Sequence, residues 1–173
     1  MKYKFYFLPS LFIVLLMHSC ITSKTIVLKT NEQLTQERIF TNLQSALTNP
    51  HEVFILKLEN DRLEDVPSEL LKLKNLQILH LGYNKLTIIP SELSTLKSLQ
   101  RIYLNNNEIK EIPSVLTTLP NLELIDLSAN RLSTLDSKIY NCKKLKTLLL
   151  AENQLKYLPD SISKLHELAE LDL

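Results

Sequence analysis

The sequence predicts an α/β solenoid: a curved parallel β-sheet on the concave face, short helical or 3-10 turns on the convex face, and an N-terminal helical cap. Three observations predict this architecture. They are a repeat of 23 residues, an apolar pattern that changes within each repeat from strand spacing to turn spacing, and an asparagine at a fixed position of the repeat. A chain of 173 residues is long enough for one such domain.

The repeat becomes visible when the chain is aligned on six apolar residues spaced 23 apart, which are Val53, Leu76, Leu99, Leu122, Leu145 and Leu168. Five full units follow L-x-x-L-x-L-x-x-N-x-L-x-x-L-P-x-x-L-x-x-L-x-x, and the fragment LAELDL ends the chain. Positions 4 and 6 alternate like the inward face of a strand, and positions 11, 14, 18 and 21 return to the same interior. One unit alone cannot bury these side chains, so the units are predicted to stack around a shared core. Cys142 replaces a leucine at position 21 and is interpreted as a small buried hydrophobe rather than a reactive thiol.

Two polar positions of the repeat have predicted structural roles. Position 9 is predicted to form a ladder, because an amide both donates and accepts hydrogen bonds and can serve the backbone of two coils; its members are Asn84, Asn107, Asn130 and Asn153. The first unit has Asp61 instead, and a carboxylate can only accept. Position 16 carries residue types that favour helix N-caps, so a short turn is predicted to begin there: Ser68, Ser91, Ser114, Ser137 and Asp160.

This pattern resembles the leucine-rich repeat, in the 23-residue form common in bacteria. Ahead of the repeats, a loose apolar stripe at Leu34, Ile39, Leu43, Ala46 and Leu47 predicts a cap helix that stops at Asn49-Pro50. The stretch RIFTNLQSALTNPHEVFILKLENDRLEDVP is similar to the start of the small leucine-rich-repeat lipoproteins of spirochaetes, where a short helix ending in a similar Asn-Pro precedes the first repeat. The resemblance implies envelope or host-surface proteins as the class of partner.

The N-terminus predicts export. Lys2 and Lys4 precede an apolar stretch that is too short to span a bilayer and is typical of a signal peptide. It ends in LMHSC, which resembles a bacterial lipobox and predicts lipid attachment to Cys20; the alternative is an ordinary cleavage site with an incidental cysteine. The expected organisation is a signal peptide at 1–19, a lipidated N-terminus and tether at 20–33, a cap helix at 34–52 and the solenoid at 53–173. The expected location is the cell envelope, as an outer-membrane lipoprotein or at the cell surface.

Composition argues against several functions. The single glycine excludes a glycine-rich phosphate loop. The formal net charge of +1 does not suggest a nucleic-acid partner. Two distant cysteines and four scattered histidines form no catalytic or metal-ligand motif, so no enzyme activity, cofactor or metal is expected. A small basic cluster at Lys143, Lys144 and Lys146 is either a solvated edge or a contact for anionic lipid or polysaccharide.

The concave face remains as the candidate site for a protein partner. Strand positions 3, 5, 7, 8 and 10 are predicted to point outward, and they should form contiguous columns because neighbouring strands lie about 4.8 Å apart. An apolar track with aromatic anchors and a polar border is typical of a protein-binding surface. The candidate binding residues are Ile55, Lys57, Ile78, His80, Tyr83, Arg101, Tyr103, Asn106, Leu124, Asp126 and Leu149.

Two functions follow as hypotheses. The first is an exported, lipid-anchored, non-enzymatic module that binds protein through its concave face. The alternative is a structural envelope protein, or a truncated or degenerate repeat protein, without a specific ligand. The fragment LAELDL lacks the Asn, the convex turn and a cap, and the expectation is that the chain is a truncated product of a longer array or that a second copy covers this edge.

Overall fold

The computed structural model describes residues 26 and 28–173. Seven parallel strands form one open sheet in the order of the sequence, which confirms the predicted leucine-rich solenoid. The strands are β1 (Ile39–Phe40), β2 (Ile55–Lys57), β3 (Ile78–His80), β4 (Arg101–Tyr103), β5 (Leu124–Asp126), β6 (Thr147–Leu149) and β7 (Glu170–Asp172). Among the described residues, two short helices, α1 (Asn31–Thr35) and α2 (Leu43–Ala46), precede the repeats. The 3-10 turns are Pro50–Glu52, Ser68–Lys72, Ser91–Thr95, Ser114–Thr118, Ser137–Asn141 and Asp160–Lys164.

The constant spacing of the repeat becomes a constant register of the sheet. Every strand from β2 to β7 starts at position 3 of its unit, and position 3 pairs with position 3 of the next strand, as in Ile78 with Arg101. The inward leucines and isoleucines therefore align from coil to coil. One continuous core runs from Phe40 to Leu165 and includes Cys142, which is only 2% exposed. Burial raises the pKa of the Cys142 thiol to about 11, as expected for a small hydrophobe.

The asparagines at position 9 each serve two successive coils. In the third unit, Asn107 Nδ2 donates to the carbonyl oxygens of Leu81 at 3.0 Å and Leu104 at 2.9 Å. Its Oδ1 accepts from the backbone N–H of Leu86 at 2.9 Å. The same bonds recur in the second, fourth and fifth units at Asn84, Asn130 and Asn153. The side chain of Asp61, in the first unit, is exposed. A buried polar row thus joins the coils along the side where the chain leaves each strand.

The residue at position 8, just before the asparagine or Asp61, adopts a left-handed backbone conformation. Its φ lies between 51° and 61° in all five units, at Asn60, Tyr83, Asn106, Ala129 and Glu152. Glycine and asparagine tolerate this region well, whereas alanine, tyrosine and glutamate adopt it at some cost. The turn after each strand therefore carries a small strain in three of the five units.

The prediction for position 16 is wrong in its detail. In each of the five units the 3-10 turn does begin there, but the capping residue is the one before it, a proline in four units. The serine side chains make no capping bond at these turns because the proline carbonyl closes the turn, as in Leu70 N–H to Pro67 O at 3.1 Å. In the fourth unit Asp136 takes the place of the proline, and its carboxylate caps Lys138 N–H at 2.8 Å.

The predicted single helix over the cap is also wrong. The apolar stripe divides among three elements: Leu34 lies in α1, Ile39 and Phe40 form β1, and Leu43 lies in α2. Strand β1 pairs with β2 in parallel, Ile39 with Ile55 and Phe40 with Leu56, so the cap adds a seventh strand to the sheet. Phe40 enters the core, whereas Ile39 is 49% exposed. A helix formed by this short segment alone would be only marginally stable. Pairing with the edge of β2, which would be unpaired without β1, therefore decides the structure of the segment.

Candidate functional site: the concave face

The outward-facing positions of the sheet carry the predicted binding residues. These residues form two rows that run across the strands. Position 3 contributes Ile55, Ile78, Arg101, Leu124 and Thr147, and position 5 contributes Lys57, His80, Tyr103, Asp126 and Leu149. Tyr83 and Asn106, at position 8, lie just beyond the ends of the strands and are exposed and half-buried, respectively. The register thus brings the residues of each row next to one another, as the sequence predicts.

The first part of this face is covered by the chain itself. Leu34 of α1 is 3% exposed and packs on Ile55 and Ile78, which are only 6% and 8% exposed, with Phe54 and Tyr103 beside them. The prediction that Ile55 and Ile78 belong to an open apolar track is therefore wrong. Because this cluster is separate from the main core, it is a docking contact between the N-terminal segment and the outer face of the sheet.

Residues 28–37, here called the N-terminal strap, are attached to the sheet by polar contacts as well. The backbone N–H of Lys29 donates to Gln77 Oε1 at 3.0 Å, and Gln100 Nε2 donates to Lys29 O at 3.4 Å. A guanidinium nitrogen of Arg101 donates to Asn31 Oδ1. Residues 28–33, the last part of the expected tether at 20–33, therefore lie on the surface of the sheet.

The glutamines that receive the strap were not predicted as functional residues. Gln77 and Gln100 stand at position 2 of successive units, one residue before each strand. Both are buried, and Gln77 Nε2 is left without a hydrogen-bond partner among the described residues. A glutamine in the same place in two consecutive units was the available sequence signal.

His80 forms the centre of the face together with Tyr103. The two rings stack in parallel, with centroids 4.2 Å apart and an interplanar angle of 7°. His80 Nδ1 lies 3.0 Å from Glu59 Oε1. Burial and the nearby positive charge of Lys57 lower the pKa of His80, although Glu59 opposes them. His80 is therefore a neutral part of a stacked aromatic pair at pH 7.

The remaining part of the face, over β4 to β6, is open. Tyr103 and Leu149 lie on either side of Asp126 in the position-5 row, and Leu124 lies two residues before Asp126 on the same strand. All four side chains are half-buried and accessible. The Asp126 carboxylate accepts the Ser128 N–H at 3.0 Å and has no cationic partner among the described residues. The open surface is thus an acidic group surrounded by three apolar side chains.

Residues 26 and 28–173 contain no group of three potential metal-ligating side chains. In the same part of the chain, no helix has the length and apolar character needed to cross a bilayer. The predicted signal peptide and the lipidation site Cys20 lie outside the described residues.

Comparison with known proteins identifies the repeat. The family model described as Leucine rich repeat matches residues 52–109 and 120–173, and a second one, for two copies of the repeat, matches residues 97–140. No curated protein sequence matches the chain.

Solved structures with the same fold include internalin C2 from Listeria monocytogenes, with 26% identity and a TM-score of 0.66 over 77% of this chain. An internalin, InlF, from the same organism gives 24% identity and a TM-score of 0.56 over 68% of this chain. The PEPR1-AtPEP1 structure gives 34% identity and a TM-score of 0.56 over 63%. The chain spans 56%, 32% and 16% of those three proteins, respectively.

Proposed function

Because this chain belongs to the leucine-rich-repeat family, whose domains are typically non-enzymatic modules for protein binding, we propose that it is an exported, lipid-anchored module that binds a protein partner on the concave face. The part of the face that binds is the open area over β4 to β6. Envelope and host-surface proteins are the proposed class of partner.

The observation that carries this proposal is the cluster of Tyr103, Leu124 and Leu149 around Asp126. A half-exposed tyrosine and two leucines within one small area supply the apolar anchors that dominate protein interfaces. The adjoining area of the same face already binds an apolar side chain, since Leu34 packs there on Ile55 and Ile78. The face as a whole therefore suits an extended segment with spaced apolar residues.

Asp126 indicates the chemistry of the partner. A carboxylate between apolar groups gains most from a cation that arrives with an apolar stem, as arginine and lysine side chains do. We therefore propose that the partner places a basic residue on Asp126 and apolar residues on the three side chains around it.

The proposal of export and anchoring rests on residues 1–20. A basic start, a short apolar stretch and the sequence LMHSC are the observations that support a signal peptide followed by acylation of Cys20. The proposed location is the cell envelope, at the outer membrane or the cell surface. Several acyl chains together provide a stable anchor, whereas one gives only reversible attachment.

A double substitution tests the binding surface. Tyr103→Ala with Leu149→Asp removes one apolar anchor and places a charge at a second, and the matched control, Tyr157→Ala with Ile88→Asp, makes the same changes at two exposed sites away from this face. The mature protein and both variants are used to capture partners from envelope and host-surface extracts, and circular dichroism checks folding. Proteins captured by the wild type and the control, but not by the concave-face variant, would support the proposal. Equal capture by all three would contradict it and favour the alternative of a structural protein without a specific ligand.

The anchor is tested separately by growing producing cells with a labelled fatty acid. The wild-type chain should carry the label, and Cys20→Ser should not. Label that persists in Cys20→Ser would contradict lipidation at this residue.

A further inference from the structure

We propose that the edge of the solenoid formed by positions 20–23 of the five units docks on a membrane surface that contains anionic lipid headgroups. These positions hold six lysines and one glutamate: Lys72, Lys74, Lys97, Lys143, Lys144, Lys164 and Glu167. Positions 10–13, at the turn after each strand, hold five basic and four acidic residues. The positive charge of the repeats is therefore concentrated along one edge.

The lysines of this edge are exposed and are not neutralised by ion pairs. Within residues 26 and 28–173, the three ion pairs involve Lys29, Arg131 and Lys146 and none of the six edge lysines. Lys143 and Lys164 place their Nζ atoms 5.0 Å and 5.3 Å from the centroid of the Tyr140 ring. An aromatic ring between two ammonium groups is a combination suited to a membrane interface, where the ring lies among the headgroups.

The N-terminal end of the described chain lies beside the same edge. Ile26 and Leu28 line a groove together with Lys74 and Lys97. Ile26 is 45% exposed, so an apolar side chain lies next to two lysines that form no ion pair among the described residues. Apolar groups beside lysines bind an anionic membrane better than either group alone, and this pairing favours a lipid surface over a polysaccharide.

This inference rests on the proposed function, because the proposed acyl chain on Cys20 is what brings the protein to a membrane. Only five residues separate Cys20 from Ile26, and a five-residue connection spans at most about 20 Å. An acyl chain on Cys20 would therefore hold the basic edge near the headgroups. The strands then stand away from the membrane, and the open part of the concave face stays accessible to a partner.

The test uses the mature chain from residue 20 with Cys20→Ser, which contains all the described residues and carries no acyl chain. Its binding to vesicles of phosphatidylcholine with phosphatidylglycerol is compared with binding to pure phosphatidylcholine by sedimentation. We expect binding only to the anionic vesicles and a steep loss when salt rises above physiological strength. Each lysine near the surface contributes about a fivefold gain in partitioning, so Lys74→Gln, Lys97→Gln and Lys143→Gln together should weaken binding about a hundredfold.

The matched control replaces three exposed lysines of the opposite edge, Lys85, Lys110 and Lys156, by glutamine. It changes the net charge by the same amount and should reduce binding only a few-fold. Equal losses in the two variants would overturn the proposal, as would equal binding to neutral and anionic vesicles. Binding to an immobilised sulfated polysaccharide with no binding to either vesicle would also overturn it and assign the edge to polysaccharide. Because the protein tested is not acylated, these outcomes are independent of the fatty-acid labelling that tests Cys20.

Discussion

At the scale of single residues, Asn107 represents the asparagines that join successive coils. Its amide donates to backbone carbonyls of two coils and accepts one backbone N–H while buried. Asn107→Asp removes the donors and places a carboxylate against these carbonyls. Because each unsatisfied buried group costs about 1–3 kcal/mol, we expect a loss of roughly 3 kcal/mol or more in the free energy of unfolding at pH 7, measured by urea denaturation.

Two comparisons make this prediction specific. The neighbouring Asn106→Asp, at a half-buried site with positive φ that aspartate tolerates, should change stability by less than about 0.5 kcal/mol. Protonation restores a donor to Asp at position 107, so the folded state raises the pKa of this carboxyl. The stability lost at pH 7 should therefore be partly recovered as the pH falls below that raised pKa. A loss that is independent of pH between 7 and 4 would contradict the role assigned to the donors.

The strained residue before each asparagine gives a prediction of the opposite sign. Ala129 has a φ of 51°, which glycine adopts without a steric penalty. Ala129→Gly should therefore raise the free energy of unfolding by up to about 1 kcal/mol, despite the greater freedom of glycine in the unfolded chain. The control is Ala151→Gly, one position earlier in the next unit and without positive φ, which should lower stability by roughly 0.5–1 kcal/mol. Thermal denaturation of both variants checks this, and changes of the same sign would contradict it.

At the scale of elements, the strap and the core should respond differently to the same substitution. Leu34 packs in a small separate cluster on the outside of the sheet, whereas Leu56 lies in the main core of the adjacent coil, and both are almost fully buried. Leu56→Ala should cost about 2–5 kcal/mol of global stability. Leu34→Ala should cost less, because the loss cannot exceed the free energy with which the strap docks.

Hydrogen exchange distinguishes these two effects. In Leu34→Ala the amides of residues 28–37 should exchange faster while those of β3 to β5 keep their protection, since local opening does not require the core to open. Loss of protection throughout the sheet in this variant would show that the strap is part of the cooperative core.

The same elements show how far sequence reasoning extends. The existence and the register of strands β2 to β7 could be predicted because each unit repeats its own local pattern, and burial on one face makes a shift of register costly. The cap could not, because Leu34 and Ile39 belong to a stripe with helical spacing, but Leu34 packs on the outer face of the sheet, Ile39 is exposed to solvent and the adjacent Phe40 enters the core. Their positions depend on pairing with the edge of β2 and on packing against the outward-facing residues of the sheet. Both belong to other parts of the chain. The covered part of the candidate site was missed for the same reason.

At the scale of the whole molecule, the stacked units share one core, but each contacts only its neighbours. The stability of such an array is approximately the sum of the units and of the interfaces between them. A substitution should therefore increase the local opening of nearby coils more than that of distant ones. This should hold even between two substitutions that lower the global free energy of unfolding by the same amount. Cys142, buried in the fourth unit, is a natural reporter of opening, because a thiol with a pKa of about 11 and 2% exposure reacts only when its coil opens.

The last prediction compares Leu148→Ala with Leu56→Ala in the Cys20→Ser background, where Cys142 is the remaining cysteine. Both leucines occupy position 4 of their units and are fully buried, but Leu148 lies in the coil next to Cys142 and Leu56 lies three units away. We expect similar losses of global stability, about 2–5 kcal/mol each. Labelling of Cys142 by a thiol reagent below the denaturation midpoint should nevertheless be faster in Leu148→Ala by tenfold or more. Equal acceleration in the two variants would mean that the fourth unit opens only when the whole array unfolds, and that the solenoid behaves as a single cooperative block.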